Sequence, residues 1–258
     1  FDQVAQSMGG GMSITGPDEQ SMVRAGIPIG DLGGGMFAVM GILAALYERE
    51  RSGIGQHVDI SMLDCQISML NYMATMHFLS GEDPYPIGNS HFVHVPYNTF
   101  RCSDGSIVIA VITDNFWTNL KGVLNCAEFE NTKYDTQPGR WEDRDMINAR
   151  LNELLSVNSC AYWLALFEAQ RIPCAPVNTL SQALADTQVL HRNMVVDLKH
   201  PNGNSTKGPG NPIKLSRSSD EVFTAAPTLG QHTDEVMTQL LNLSVKQIQQ
   251  MKDQGIIK

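Results

Sequence analysis

The apolar residues that follow Gly35 recur at spacings of three and four residues. This spacing places them on one broad face of a helix. The positions are Met36, Val39, Met40, Leu43, Leu46 and Tyr47. A glycine at position 53 follows the charged run ERER, and glycine at such a position is typical of a helix end. The sequence therefore predicts an apolar helix that stops at Gly53.

The hydrophobic period changes from helical to alternating after this helix. Val58, Ile60 and Met62 alternate with polar residues, so the segment from Gln56 to Met62 is predicted to be a strand with one buried face. A second apolar helix is predicted from Leu63 to about Leu79.

Glycine and proline cluster between Ser80 and His91, which predicts a linker and a domain boundary. Two β-rich runs follow around Ser103 to Gly105 and predict a hairpin. Helices are predicted at 115–124, 141–155, 160–170, from Leu180 and from Thr233 to the end, with a strand at 174–178 and a turn-rich tract at 200–212. Alternating helical and extended segments indicate an α/β protein.

Composition excludes several classes of function. The chain has 258 residues and a formal net charge of −9, and it shows no Lys/Arg-rich stripe that could neutralise nucleic-acid phosphates. Five scattered cysteines without a CxxC pair argue against a disulfide framework and a structural zinc site. The run from Met36 to Tyr47 is shorter than a membrane span, and the first residues lack the features of a signal peptide. We therefore expect a cytoplasmic protein without metal, and Phe1 in place of an initiator Met suggests a missing upstream region.

Asp31 stands between a short apolar run and three consecutive glycines, where the apolar helix is predicted to begin. One interpretation is a helix N-cap, because aspartate accepts hydrogen bonds from free N–H groups there. The other is a nucleophile for an activated acyl group, with the N–H groups of Gly33–Gly35 stabilising the oxyanion. The glycines match neither GxGxxG nor a Walker motif, so a nucleotide-phosphate loop is not predicted. Spacing alone favours the N-cap, and the two roles are compatible.

Several long motifs resemble the class III (CaiB/BaiF) CoA-transferase family. In chain order they are FDQVAQSMGGGMSITG, GDLGGGMFAVMGILAALYERERSGIGQHVDISMLD, RIPCAPVNTLSQALADTQVLHRNMVVDLKHP, GPGNPIKLS and PTLGQHTDEV. On this resemblance Asp31 corresponds to the nucleophilic aspartate. The resemblance implies that CoA moves from an acyl-CoA thioester to a free carboxylic acid, through an aspartyl anhydride and an aspartyl-CoA thioester.

The same resemblance implies an architecture. Residues 1–80 would belong to a Rossmann-like large domain, residues 81–178 would form a smaller α+β domain, and residues 179–258 would return to the large domain. Family members are interlocked homodimers, and CoA or acyl-CoA is their substrate and not a permanently bound cofactor. The family's region ahead of FDQVAQ, which carries most CoA contacts, has no counterpart here, so we assign no CoA-binding residues and expect a poorly stable fragment.

Two other functions remain open. α-Methylacyl-CoA racemases of the same superfamily use a histidine before an aspartate where this chain has Phe1 and Asp2. Phenylalanine cannot take a proton, so the residue at this position favours transfer over racemisation. A non-catalytic scaffold that retains the fold is the second alternative.

Three further side chains are candidates near the site. Gly88 and Asn89 match a pair that precedes a glycine-rich loop in formyl-CoA:oxalate transferases, but the glycines are missing. A larger acid, such as a dicarboxylate or a carnitine-type acid, is therefore expected, and His91 and His94 are candidate contacts for its carboxylate. An exposed and inert histidine pair is the more common alternative. Gln6 either lies near the active site or holds a loop through a hydrogen bond.

Overall fold

The protein is a mixed α/β protein, and its computed structural model describes residues 1–218 and 221–257. The chain divides into two compact units, Phe1–Val177 and Asn178–Lys258. Among the described residues, five short strands form two separate antiparallel sheets, one in each unit. The predicted three-part domain organisation of the whole protein stays a prediction.

The regular secondary structure of the first eighty residues is helical. Helix α1 packs against α2 and α3, which also pack against each other. The elements are α1 (Asp2–Met8), a 3-10 turn (Met12–Ile14), α2 (Ile29–Ser52), α3 (Met62–Met69) and α4 (Tyr72–Ser80). Gly53 adopts a left-handed φ of 74° and its N–H bonds to the Arg49 carbonyl, which confirms the predicted end of the apolar helix.

The strand predicted between Gln56 and Met62 is wrong. Residues 56–61 have no regular structure, and Met62 opens α3. The alternating pattern is present, but within 1–218 and 221–257 no segment pairs with it, and a strand exists only where a partner completes its hydrogen bonds. The predicted helix 63–79 is two helices, because Asn71 has a φ of 53° that an α-helix cannot contain.

Helix α2 is longer than its most apolar run suggested. It spans 24 residues and is long and apolar enough to cross a membrane, although one such helix is weak evidence because core helices of water-soluble proteins meet the same criterion. The apolar run from Met36 to Tyr47 therefore underestimates the length of the helix, which begins at Ile29. Most of its apolar side chains are exposed in this chain, including Val39 and Leu43.

The rest of the first unit is built on a three-stranded antiparallel sheet. The predicted hairpin is confirmed, with Phe100 opposite Ile107 and the Cys102 N–H bonded to the Gly105 carbonyl at 2.9 Å. The third strand pairs with the second and places Cys174 opposite Ile109. The elements are β1 (Tyr97–Arg101), β2 (Ser106–Ala110), α5 (Asp114–Leu124), α6 (Gln137–Glu142), α7 (Arg144–Leu155), α8 (Cys160–Ala169) and β3 (Cys174–Pro176), with 3-10 turns at Ala127–Glu130 and Thr132–Asp135.

One hydrophobic core holds this sheet against its helices. Ile107 and Ile109 alternate along β2 and are fully buried, as period-2 patterning requires. They pack in a cluster with fully buried residues of the neighbouring helices and loops, namely Trp117, Leu120, Phe129, Ile147, Leu151, Leu155 and Phe167. Residues 97–176 therefore contain their own core, which supports the loops that lead into them.

The second unit contains short helices and one hairpin. Its elements are α9 (Leu180–Ala185), α10 (Thr187–His191), β4 (Val195–Lys199), β5 (Ser205–Pro209), α11 (Thr233–Gln239) and α12 (Val245–Asp253). The prediction of turns throughout 200–212 is wrong for residues 205–209, because these form β5 and pair with β4. Glycine and proline in this strand are tolerated because each strand of a two-stranded sheet is an edge.

Candidate active site

Asp31 is the third residue of α2 and not its N-cap. Pro28 occupies the N-cap position, and it has no side-chain group that could form a cap hydrogen bond. The N-cap interpretation of Asp31 is therefore wrong, because the helix begins three residues earlier than that role requires. The side chain is exposed and lies in the first turn, where the helix dipole favours a negative charge.

Asp2 supplies the missing cap from another helix. Its Oδ1 accepts a hydrogen bond from the Gly30 N–H at 2.8 Å, and both carboxylate oxygens accept from Gln6 Nε2 at 3.1 and 2.9 Å. Burial raises the pKa of Asp2, but the hydrogen bonds from Gln6 and from the N–H groups of Gly30 and Asp31 outweigh this effect and lower the pKa below its ordinary value. Sequence inspection missed this cap because it lies 28 residues before its partner.

Gln6 holds the loop that leads into α2. Its side chain is 3% exposed, and its Oε1 accepts a hydrogen bond from the Ala25 N–H at 2.9 Å. The interpretation of Gln6 as a structural residue that bonds to a loop is confirmed. Asp2, Gln6 and Ala25 thus connect α1 to the segment that places Asp31.

The Gln6→Leu substitution is expected to lower the free energy of unfolding by about 1–3 kcal/mol, the usual cost of leaving a buried hydrogen-bonding group without a partner. Leucine has a similar size but cannot bond to Asp2 or to the Ala25 N–H. Urea unfolding measures the effect. Gln3→Leu is the matched control, because Gln3 is exposed on the same helix. Equal stability of the two variants would contradict the role of Gln6.

The three glycines do not provide free N–H groups for an oxyanion. Gly33, Gly34 and Gly35 lie inside α2, where each N–H bonds to the carbonyl four residues earlier. The prediction that they stabilise an oxyanion is wrong because the helix starts at Ile29. Gly33 instead permits close packing, since a Cβ atom there would lie 2.5 Å from Met69 Cε on α3.

The carboxylate of Asp31 is exposed and unobstructed in this chain. It forms no cap bond and is exposed, so its oxygens are accessible to an electrophile. A cavity of about 370 Å³ lies beside the start of α2, with Gln6, Ala25 and Ile29 in its wall, but Asp31 does not line it. The candidate nucleophile Asp31 is thus exposed on the surface of this chain and does not line this cavity.

A second group of polar side chains surrounds a cavity of about 170 Å³ in the sheet-containing part of the first unit. His91 and His94 are half-buried and their ring centroids are 4.6 Å apart. Burial, followed by the charge of His94, lowers the pKa of His91. Arg144 and Asn148 from α7 line the same cavity. The structure therefore brings both predicted histidines to one cavity, together with two residues that sequence inspection did not select.

Within residues 1–218 and 221–257, no three His, Cys, Asp or Glu residues lie close enough to hold a metal ion. The five cysteines are free thiols.

Comparison with known proteins gives a consistent result. Succinyl-CoA:glutarate CoA-transferase of Mus musculus is 30% identical over 259 residues, which cover 100% of this chain and 59% of that protein. Succinyl-CoA:mesaconate CoA-transferase of Haloarcula marismortui is 31% identical over 238 residues, covering 92% of this chain and 60% of that protein. The chain thus spans about three fifths of the length of these curated relatives.

Structural similarity agrees with these matches. A crystal structure of a CAIB/BAIF family protein from Brucella suis superposes with a TM-score of 0.82 and 30% identity, covering 93% of this chain and 62% of that one. A sequence model of CoA-transferase family III matches residues 1–233. The chain therefore belongs to CoA-transferase family III.

Proposed function

We propose that the complete protein is a CoA-transferase and that Asp31 is its nucleophile. The observation that carries this proposal is the exposed Asp31 carboxylate, which has no cap bond, in the first turn of α2. Family membership supports the reaction type, since the relatives are named as CoA-transferases. CoA thioesters and free acids are then substrates, and no permanently bound cofactor takes part in the scheme.

The reaction consists of four acyl exchanges. A carboxylate oxygen of Asp31 attacks the thioester carbon and the C–S bond breaks. CoA thiolate is released, and a mixed anhydride of Asp31 and the donor acid forms. The thiolate then attacks the Asp31 carbonyl, which releases the donor acid as a carboxylate and forms an aspartyl-CoA thioester. The acceptor carboxylate attacks the carbonyl carbon of this thioester, the C–S bond breaks, and a second mixed anhydride forms between Asp31 and the acceptor acid as CoA thiolate is released. Attack of the thiolate on the acceptor acyl carbon gives the new acyl-CoA and restores Asp31.

The acceptor that we propose is a small dicarboxylic acid. Two relatives are named for succinyl-CoA with glutarate or mesaconate, and others are named for oxalate. The segment after Gly88 and Asn89 lacks a run of glycines, and this absence is the reason to prefer an acid larger than oxalate.

The racemase alternative has no support from this geometry. Phe1 cannot exchange a proton, and Asp2 is occupied by Gly30 and Gln6. A non-catalytic scaffold role is also disfavoured, because the Asp31 carboxylate is accessible for catalysis.

We propose further that the protein is a cytoplasmic homodimer. An apolar face of α2 is exposed, with Val39 at 56% and Leu43 at 61%. An exposed patch of this kind marks an interaction surface in a soluble protein. Interlocked chains that cover this face would fit the proposed assembly.

Trapping of the covalent intermediate tests the function. The full-length protein is incubated with succinyl-CoA and glutarate, treated with hydroxylamine and digested, and its peptides are analysed by mass spectrometry. We expect a hydroxamate on Asp31 that requires acyl-CoA. Transfer without an adduct on the Asp31 peptide would exclude the mechanism, and deuterium uptake at the α-carbon of an acyl-CoA in the absence of an acceptor would indicate racemisation.

A further inference from the structure

The two histidines of the 170 Å³ cavity are held in defined tautomers. Nδ1 of His91 accepts hydrogen bonds from the N–H groups of Val93 and His94 at 3.0 and 3.2 Å. A main-chain N–H is only a donor, so Nδ1 carries a lone pair and the proton of the neutral ring is on Nε2. His91 therefore offers one N–H donor, on the edge of the ring that faces away from the turn.

Gln137 fixes the tautomer of His94 in the same way. Its Oε1 accepts from the Val95 N–H at 3.1 Å, so the other end of its side chain is the NH2 group. This group donates to the Val111 carbonyl at 3.0 Å and contacts Nδ1 of His94 at 3.1 Å. His94 consequently also carries its proton on Nε2. Two neutral N–H donors thus belong to rings that line one cavity.

Arg144 adds a positive charge beside these donors. Its guanidinium lies over the Trp141 ring, 4.6 Å from the centroid, which fixes the plane of the group and leaves its N–H edges free. Asp145 is the acidic residue of the cavity wall, but it is 93% exposed and its Oδ1 lies 3.6 Å from Arg144 Nε, beyond hydrogen-bond distance. Asn148 lines the cavity with a buried Oδ1 that has no partner among the residues described.

Size and charge restrict the occupant. At about 170 Å³ the cavity is smaller than the roughly 300–1,000 Å³ of sites for drug-sized ligands, so it suits a short acid and not the nucleotide of CoA. The side chain of Asp145 is almost fully exposed, so water screens its charge and Arg144 remains able to attract an anion. The wall offers one guanidinium beside neutral N–H donors, which matches a single carboxylate group better than a phosphate, where up to two charges lie on one small group.

We propose that this cavity binds a carboxylate of a small organic acid, with Arg144 as the ionic partner and the Nε2–H groups of His91 and His94 as neutral donors. The assignment of that acid as the acceptor of CoA rests on the proposed function. The binding site itself does not require Asp31.

Equilibrium binding to the full-length protein tests this site without CoA. Calorimetric titration uses glutarate, its neutral analogue glutaramide, and inorganic phosphate as three separate probes. We expect saturable binding of glutarate, weaker binding of phosphate and no binding of glutaramide. Absence of glutarate binding, equal binding of glutaramide, or tighter binding of phosphate would each overturn the carboxylate assignment.

Two substitutions assign the binding to this cavity. Arg144→Gln is expected to weaken glutarate binding about tenfold, a usual effect of losing one charge-assisted hydrogen bond. His91→Asn is expected to weaken it several-fold, while its side-chain oxygen can still accept from the N–H groups two and three residues later and preserve the turn. Arg150→Gln on the same helix is the control, because Arg150 pairs with Glu128 and Glu153 and lies outside the cavity wall.

The outcomes separate this inference from the proposed function. If both variants bind glutarate like the parent protein while Asp31 forms the trapped adduct, the binding site is wrong and the transferase function stands. If the variants lose binding while Asp31 forms no adduct during transfer, the site stands and the proposed mechanism fails.

Discussion

Replacement of Asp31 by asparagine is expected to lower the rate of CoA transfer by about 10³-fold or more, the order seen when the nucleophile of a covalent mechanism is removed. Asparagine has nearly the same size, but its neutral amide cannot form the acyl anhydride. The side chain is exposed and makes no cap bond, so the fold should not change. Initial rates with succinyl-CoA and glutarate, followed by chromatography of the CoA esters, measure the loss.

Asp64 provides a matched control for this substitution. It is an exposed aspartate in the first turn of α3, as Asp31 is in the first turn of α2. Asp64→Asn therefore removes the same charge near the same end of a helix dipole without touching the proposed nucleophile. We expect parental transfer rates and a similar loss of helix stabilisation. An Asp31→Asn variant that transfers CoA as fast as Asp64→Asn would exclude Asp31 as the nucleophile.

Local patterns predicted the parts of the fold that depend on near neighbours. The three- and four-residue spacing after Gly35 gave the body of α2, and Gly53 gave its end. The hairpin of β1 and β2 was equally visible because its turn and its alternating strand are contiguous in the chain. In each case the residues that determine the structure lie within a few positions of one another.

Features that depend on distant partners were not predictable in this way. The segment 56–61 alternates like a strand, yet no neighbouring segment among those described pairs with it. The start of α2 was placed too late because its cap, Asp2, comes from another helix. The nucleophilic role proposed for Asp31 comes from the family resemblance and not from spacing, which favours a cap. The tautomers of His91 and His94 depend on hydrogen bonds that composition cannot show.

Arg140 is another feature that the sequence concealed. Its side chain is fully buried in a core of apolar residues, a rare position for arginine. Nε donates to the Val95 carbonyl and Nη1 to the Tyr134 carbonyl, both at 2.7 Å, and Nη2 donates to Asp114 Oδ1 at 2.8 Å. The guanidinium also lies over the Trp117 ring, 5.3 Å from its centroid. One side chain therefore ties the entry of β1 to the turn before α6 and to the start of α5.

The Arg140→Met substitution is expected to lower the free energy of unfolding of the first unit by about 3 kcal/mol or more, because Met fills the space but leaves two buried carbonyl groups without their donor, at roughly 1–3 kcal/mol each. Urea unfolding followed by tryptophan fluorescence measures the change. Asp114→Asn separates the carbonyl bonds from the ion pair, since Asp114 is 60% exposed and asparagine keeps an acceptor oxygen. That variant should lose less than Arg140→Met, because asparagine still accepts from Nη2 and both buried carbonyl groups keep their donor. Equal losses in the two variants would show that the ion pair, and not the bonds to Val95 and Tyr134, makes Arg140 necessary.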